Sequence, residues 1–458
     1  MTSRRLAPAS TSDHAVSGAR WPFALSTRAL LLLGGGLVFV VPAMIDRRAL
    51  LLMAAWDLLL LALACIDGSR LPKPGQLRAT RSWSAPLALG SASQVTVLLE
   101  NGGRTPIAAR VADYVAPALR ADLPAFELRA EPGGTAAGSY GVRPRERGDH
   151  ENGPVALTWW SGWRLAERWA TVPLGQPVRV YPDLAEGRSE ALYLIRSRQV
   201  ALEKRRARHA GSGREFESLR DYRQGDERRD IYWRASARRG KLVTKVYQPE
   251  RSQPVWILVD AGRLLRARTA DRTMLDVSVT AAVTLAQVAL ASGDKVGLLA
   301  YGRRVQTRLA PARGAGHLRT LIEALAMVRS DAVDADHASA VATLLTSQKR
   351  RALIVWLTEI AETAGVPDVI EQALTMTSRH LVLFGVMRQR PMQALAAASP
   401  ASVNEMYRVA AAQEALERRD ALLLSLRQRS ALVLEVSPAE LSAGIVDRYL
   451  EARDRGLL

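Results

Sequence analysis

Two apolar stretches in the C-terminal half end in side chains able to do chemistry. Val255 to Asp260 (VWILVD) closes on a carboxylate, and Leu353 to Thr358 (LIVWLT) runs into Glu359. Carboxylates and a hydroxyl at strand ends suit a hard divalent cation such as magnesium, and with it metal-dependent hydrolysis or group transfer. Asp260 and Glu359 are therefore the weak candidate metal ligands. The residues after Asp260 argue against them: Ala261, Gly262 and Leu264 offer no side-chain oxygen, and Arg263 brings a competing positive charge. The chain holds no glycine-rich phosphate loop ending in Lys-Ser or Lys-Thr, and no Gly-x-Gly-x-x-Gly fingerprint. His14, His150, His209, His317, His337 and His380 are scattered without paired-ligand spacing. No nucleophile, base and orienting group are assigned, no cofactor is expected, and the chain is not read as an enzyme.

A second chemistry-bearing stretch is Gly211 to Lys245, preceded by a basic helical segment, Val200 to Ala210. From Leu202 to Lys245 there are fourteen Lys or Arg against seven Asp or Glu, interleaved around Phe216, Tyr222, Ile231 and Trp233. A merely soluble linker would not set four large apolar side chains among its charges. Such a density could bind phosphate, but Glu215, Glu217, Asp221, Asp226, Glu227 and Asp230 oppose a polyanion, so no nucleic-acid partner is expected. The stretch reads as a folded arch in which Arg guanidinium groups satisfy carboxylates over packed aromatics. It serves either as a scaffold of internal ion pairs or as a docking face for a protein. Gly225 marks a turn, Asp226 is placed to cap the segment after it, and Lys241 to Tyr247 alternates like a strand.

The elements that must position these residues can be read from periodicity. In the C-terminal half, apolar strands at Val255–Asp260, Lys295–Tyr301, Leu353–Thr358, His380–Val386 and Ala431–Val436 alternate with helical segments, including roughly Thr269–Ala291 and His317–Val328. Val305–Leu309 returns beside its neighbour, and Gly293 stands where the first of those helices should stop. Such alternation predicts a mostly parallel sheet covered on both faces. The middle region carries short runs separated by Gly and Pro: Leu87–Leu89, Gln94–Leu99, Arg110–Val115, Phe126–Leu128, Val155–Trp159 and Pro177–Tyr181. This predicts a small sandwich. Trp159, Trp160, Trp163 and Trp169 are read as core or membrane-interface residues.

Near the N-terminus, Ala29–Ile45 and Ala49–Ile66 are apolar runs of about 17 or 18 residues, about 25–27 Å as helix, joined by Asp46, Arg47 and Arg48. They predict a transmembrane hairpin. The Arg and Lys excess on both flanks favours cytoplasmic soluble parts at the inner membrane. Asp57 within the second run is read as a helix–helix contact or as the mark of a shortened span that lets it approach the interface. A net charge of +18 spread along the chain does not select a partner, and the single cysteine, Cys65, excludes an intrachain disulfide framework.

The arch resembles the signature of the domain of unknown function 58 family in Gly213-Arg214-Glu215-Phe216, Arg220-Asp221-Tyr222, Gly225-Asp226, Arg229-Asp230-Ile231, Trp233 and Ser236-Ala237-Arg238. Tyr232 stands where the family commonly has His or Asp. The resemblance implies a signature set of Arg214, Arg220, Tyr222, Gly225, Asp226, Arg229, Asp230, Trp233 and Arg238, with a partner-binding or structural role. It also implies a multidomain fold class: a flexible cytoplasmic tail (1–28), a transmembrane helix hairpin (29–66), a small β-sandwich-like domain (80–198), the arch (199–252) and an α/β von Willebrand factor A-like domain (253–458). In that last domain Asp260 matches the first Asp of an Asp-x-Ser-x-Ser cation motif, Gly262 and Leu264 replace both serines, and Glu359 takes the approximate place of a later Asp. A protein-binding edge is expected there in place of a metal site. The implied function is a membrane-anchored adaptor or assembly-factor scaffold. Its implied partners are a MoxR-type AAA+ ATPase chaperone system, membrane lipid and further von Willebrand factor A-like proteins. The opposing reading is a metal-dependent hydrolase or transferase on the α/β domain.

Overall fold

The computed structural model describes residues 14–15, 17–18, 23–46, 48–84, 86–183, 215–223, 228, 231–248, 253–269, 271–360 and 366–457. The chain divides into two compact units, Met1–Tyr181 and Pro182–Leu458.

In the first unit, short strands at His14–Ala15, Ser17–Gly18 and Ala24–Leu25 pair with strands of the β-rich region, so the described part of the segment expected as a flexible tail is strand, and two apolar helical runs follow. Helix α1, Thr27–Gly35, is capped by Ser26, whose hydroxyl accepts from Ala29 N at 3.2 Å. The single helix expected to Ile45 is not continuous: it tightens into a 3₁₀ turn at Gly36–Phe39 and resumes at Val40–Ala43. Three successive glycines, Gly34 to Gly36, explain the break, since each weakens a helix interior by about 1 kcal/mol. They also permit a close approach. A Cβ on Gly36 would stand 3.0 Å from both Trp56 and Asp57 of helix α2, Ala49–Arg70, and Trp56 Nε1 donates to Leu32 O at 3.0 Å. Helix α2 has 22 residues, about 33 Å, and a mean hydropathy of 2.4, with 17% of its most apolar window buried. It is long and apolar enough to cross a bilayer.

The β-rich region comprises β1 (Leu77–Trp83), β2 (Leu87–Ala88), β3 (Ser93–Asn101), β4 (Ile107–Asp113), β5 (Ala125–Ala130), β6 (Thr135–Val142), β7 (Gly148–Glu151), β8 (Val155–Trp160), β9 (Ala166–Val172) and β10 (Pro177–Tyr181). Strands β1, β3 and β6 form one antiparallel sheet, and β9, β8, β4 and β5 another. A small third sheet has the order β7-β10-β2. Alternate residues of the two larger sheets, among them Val95, Val97, Leu99, Val111, Leu157 and Trp159, enter one apolar core. Strands β1, β6, β7 and β9 were not expected; in β6, Thr135–Val142 (TAAGSYGV), the sequence is poor in the β-branched runs that mark a strand. Within the tryptophan cluster, Trp159 is fully buried and donates to Pro72 O at 3.2 Å, whereas Trp163 and Trp169 are exposed.

Two buried polar clusters organise this unit. Arg81 on β1 donates through Nε to Asp113 Oδ2 at 3.0 Å and through Nη2 to Asp113 Oδ1, and reaches the Leu174 and Gly153 carbonyls at 3.0 Å. The Tyr140 hydroxyl donates to the same carboxylate at 2.6 Å. Asp67, in the last turns of α2, accepts from the Ser161 hydroxyl and from the Leu165 and Ala166 amides at 3.0 Å, tying the helix to the β8–β9 turn.

In the second unit, β11 (Glu215–Asp221) and β12 (Val243–Gln248) form an antiparallel hairpin that carries the short helix α3 (Trp233–Arg239) between them. Beyond the hairpin lies a six-stranded sheet: β13 (Pro254–Asp260), β14 (Lys295–Tyr301), β15 (Val305–Ala312), β16 (Leu353–Leu357), β17 (Leu381–Met387) and β18 (Leu432–Val436). Their order is β15-β14-β13-β16-β17-β18, and every pairing is parallel except that of β15. Helices α4 (Met274–Ala291), α5 (Ala315–Met327) and α9 (Leu441–Asp454) share a core with Val255, Ile257 and Val259. Helices α6 (His337–Ser347), α7 (Val366–Thr377) and α8 (Val403–Gln428) share another with Trp256 and Leu258. Successive residues of β13 thus face opposite layers, which is why the strand is apolar without alternation. Helix α4 starts later than expected, at a capping box between Thr273 and Asp276, and Gly293, at φ +86°, terminates it. It too is long and apolar enough to span a membrane, but 78% of it is buried, so it is a core helix.

Candidate functional site

Strand β13 ends at the carboxyl edge of the sheet in Asp260, which is almost wholly buried. Asp260 Oδ2 accepts from the Thr358 hydroxyl at 2.7 Å, and Oδ1 from Gly262 N at 2.7 Å. Burial raises the Asp260 carboxyl above its ordinary range, opposed by the charge of His337 and the two hydrogen bonds. Gly262 has no room for a side chain, since a Cβ would meet the Ala335 amide nitrogen at 2.8 Å. A serine would not fit there. Arg263 turns to Asp334, its Nε donating at 2.6 Å.

Beside this pair lies a linked aromatic set. Trp356 Nε1 on β16 donates to the Tyr301 hydroxyl at 2.7 Å, and that hydroxyl shares a 3.0 Å hydrogen bond with His337 Nδ1 at the start of α6. Asp336 caps α6, accepting from Ser339 N at 2.8 Å. Burial, followed by the Asp260 charge, holds the Tyr301 phenol well above its usual range.

Glu359 belongs to a different cluster. Its Oε1 accepts from Ile360 N at 3.2 Å, Gln389 Nε2 at 3.1 Å and Arg419 Nη2 at 3.4 Å, and its Oε2 has no hydrogen-bond partner. Arg419, on α8, also donates to Glu435 at 2.5 Å and to Met387 O at 2.9 Å. One guanidinium therefore faces two carboxylates. Burial pushes Glu359 up to about 7, against the lowering effect of Arg419. Among the described residues the Asp260 and Glu359 carboxylates share no hydrogen-bond partner, although the Thr358 hydroxyl that bonds Asp260 also lies 3.5 Å from the Glu359 carbonyl. Among the described residues no three His, Cys, Asp or Glu side chains are grouped to hold a metal ion.

Of the signature residues, Arg220, Tyr222, Trp233 and Arg238 are described, while Arg214, Gly225, Asp226, Arg229 and Asp230 lie outside the described residues. Arg220 and Tyr222 are half-buried at the end of β11, and Arg238 is exposed on α3. Trp233 departs from the expectation of aromatics packed beneath the charges, being 66% exposed. A seven-residue helix turns only one narrow stripe inward, and Ser236 occupies it, donating to Tyr232 O at 3.1 Å and accepting from Val243 N at 2.9 Å. Ile231 fills the buried place instead, bridged to Thr244. Lys245 Nζ lies 4.5 Å over the Tyr232 ring.

Sequence reasoning did not single out Tyr301, His337 or Arg419. The acid-rich string Asp331 to His337 ahead of a helix was the available signal for His337, as an N-cap followed by its first turn. Nothing local marks Arg419, one of several arginines on a long helix.

Among known proteins, the chain is 31% identical over 118 residues to the uncharacterized protein YeaD of Bacillus subtilis, covering 26% of this chain and 27% of that one. It is 26% identical over 175 residues to the uncharacterized protein Rv1480 of Mycobacterium tuberculosis, covering 38% and 54% respectively. The chain thus spans about a quarter and about half of the lengths of these relatives. Among solved structures, BatB from Bacteroides thetaiotaomicron aligns at 10% identity and a TM-score of 0.28, over 44% of this chain and 100% of that one, too low a score to support a fold assignment. Residues 218–419, from within the arch through the carboxyl edge of the sheet to Arg419, match the family described as protein of unknown function DUF58.

Proposed function

We propose that the chain is a membrane-anchored adaptor or assembly-factor scaffold. In this reading α1 and α2 cross the inner membrane as a hairpin and the remaining parts lie in the cytoplasm, where they dock a MoxR-type AAA+ ATPase chaperone system and further von Willebrand factor A-like proteins. ATP is consumed by the partner. The observation that carries the reading is the outward display of apolar side chains on both helical runs: Leu31, Val38 and Val41 on the first, and Leu51 and Leu58 on the second, are each about 70% exposed. Water would not tolerate so continuous an apolar surface, and lipid would cover it. The docking half draws support from Trp233, a large aromatic held outward on a short basic helix within the family-matched segment.

The sheet order, with Asp260 at the end of the central parallel strand, is consistent with a von Willebrand factor A-like half that presents a protein-binding edge. Asp260 is engaged by Thr358 and Gly262, and Glu359 by Arg419 and Gln389, which favours a structural use of both carboxylates.

The test is affinity capture of the full-length protein from detergent-solubilised bacterial membranes under ATP-trapping conditions. Retention in the membrane pellet through an alkaline wash, with co-purification of an AAA+ ATPase, is the expected result. Full-length protein dispersed without detergent overturns the anchor, and capture without any AAA+ subunit overturns the docking.

A further inference from the structure

The turn between β14 and β15 and the segment between α5 and α6 enclose an open groove of ≈ 510 Å³, whose lining includes Arg303, Arg304, Arg329, Gln306 and Met327. The three guanidinium groups are exposed, and none makes a hydrogen bond or ion pair with the described residues. Nearby arginines behave differently: Arg263 is paired with Asp334, and Arg308 donates to Ser347 at 2.9 Å.

The backbone that carries these cations is held rigidly. Gly302 N donates to Arg304 O at 3.0 Å, closing the turn, and Arg303 N donates to Asp331 Oδ2 at 2.7 Å. Asp331 N is in turn bound to Ala261 O at 2.7 Å. Across the groove, Gln306 exchanges two hydrogen bonds with the Arg329 backbone, donating to its carbonyl at 2.7 Å and accepting from its amide at 3.0 Å. Three unpaired cations carried on a fixed backbone form an anion-binding patch, since the frame needs no reordering and only the side chains are ordered on binding.

Two features select the kind of anion. Met327 and Val333 line the same groove and are partly exposed, so the occupant carries apolar groups as well as charge. Asp331 adds a carboxylate to the wall, which a continuous phosphodiester chain would have to pass. Carboxylates spaced along a peptide can alternate with apolar side chains and avoid it.

The geometry points to this groove as the docking site for an acidic segment of a protein partner, with Arg303, Arg304 and Arg329 pairing its carboxylates and Met327 and Val333 receiving an apolar side chain. The inference deepens the docking reading above by assigning the partner's chemistry, and it does not depend on the partner being an ATPase.

The experiment uses full-length protein in detergent micelles and a fluorescent peptide of repeating Glu-Glu-Leu-Asp, read by anisotropy. Saturable binding that weakens with salt is expected, falling about tenfold or more in Arg303→Glu/Arg329→Glu and severalfold when serine replaces the peptide's leucines. Arg350→Glu, an exposed reversal elsewhere, leaves affinity unchanged if the groove is the site. No binding, equal loss in the Arg350 variant, or equally tight binding of polyuridylate or inorganic phosphate would overturn the assignment. Acidic-peptide binding that survives Arg303→Glu/Arg329→Glu, with ATPase capture intact, removes the groove and leaves the adaptor standing. Peptide binding without ATPase capture does the reverse.

Discussion

Replacing Glu359 by Gln should stabilise the protein above neutral pH and leave it unchanged in acid. Arg419 already has Glu435 at 2.5 Å, so Glu359 is the spare carboxylate, fully desolvated and with Oε2 unpartnered. Its carboxyl lies at about 7 where 4.5 is ordinary. The native state therefore holds a proton that the unfolded state has released between those values. Because the native state binds more protons there, stability contributed at this site falls as pH rises from about 4.5 to about 7, by about 1.4 kcal/mol per pH unit and about 3 kcal/mol in all. Glutamine mimics the protonated side chain and has nothing to titrate. The difference in unfolding free energy, Glu359→Gln minus parent, should rise from near zero at pH 4.5 to about 3 kcal/mol at pH 8. Urea unfolding of detergent-solubilised protein, monitored by tryptophan fluorescence, gives this difference directly, and taking the difference cancels groups common to both proteins. A Gln variant less stable than the parent at pH 8 would refute the reasoning, because it would mean that Arg419 needs both carboxylates ionised.

Asp113→Ala leaves Arg81 buried without its counter-ion and should cost about 3–5 kcal/mol, read as a large drop in the thermal midpoint. Asp67→Ala frees the Leu165 and Ala166 amides from the end of α2. Faster hydrogen exchange at those two amides is expected, with a loss of about 2–4 kcal/mol if the hydrogen bonds are as strong as charged acceptors usually make them. Gly302→Ala places a Cβ on the Asp331 carboxylate and should both destabilise the β14–β15 turn by about 1–3 kcal/mol and weaken acidic-peptide binding. Trp233→Ala, which removes an exposed side chain, should leave the thermal midpoint within about 2 °C while reducing partner capture.

Much of the α/β half is legible in the chain because strands covered on both faces must be apolar at every position. Val255 to Asp260, Lys295 to Tyr301 and Leu353 to Thr358 therefore announce themselves, and Gly293 ends its helix through a backbone angle that glycine adopts without strain. Several of the β-rich strands were invisible for the opposite reason. Thr135–Val142 is built largely of Ala, Gly and Ser, and it is held in place by neighbours, with Gly138 packed under the Phe126 ring. Trp233 was misplaced because hydrophobicity argues for burial in general, whereas its exposure depends on which stripe of a two-turn helix faces the hairpin.

Residue type and spacing alone thus set the apolar strands of the α/β half, which helices are apolar enough for lipid, and which side chains are chemically competent. Partnership was decided only in three dimensions. Strand order brings Thr358 to Asp260, successive residues point the Glu359 side chain the other way, and the packing of α8 on the sheet delivers Arg419 to Glu359 across 60 positions. Arg303 and Arg329 likewise meet around one groove because two loops converge at the same edge of the sheet. Periodicity reports how each segment meets solvent and core, a property of the segment itself. A hydrogen bond or a cation cluster depends on the packing of segments against one another, which no single segment encodes.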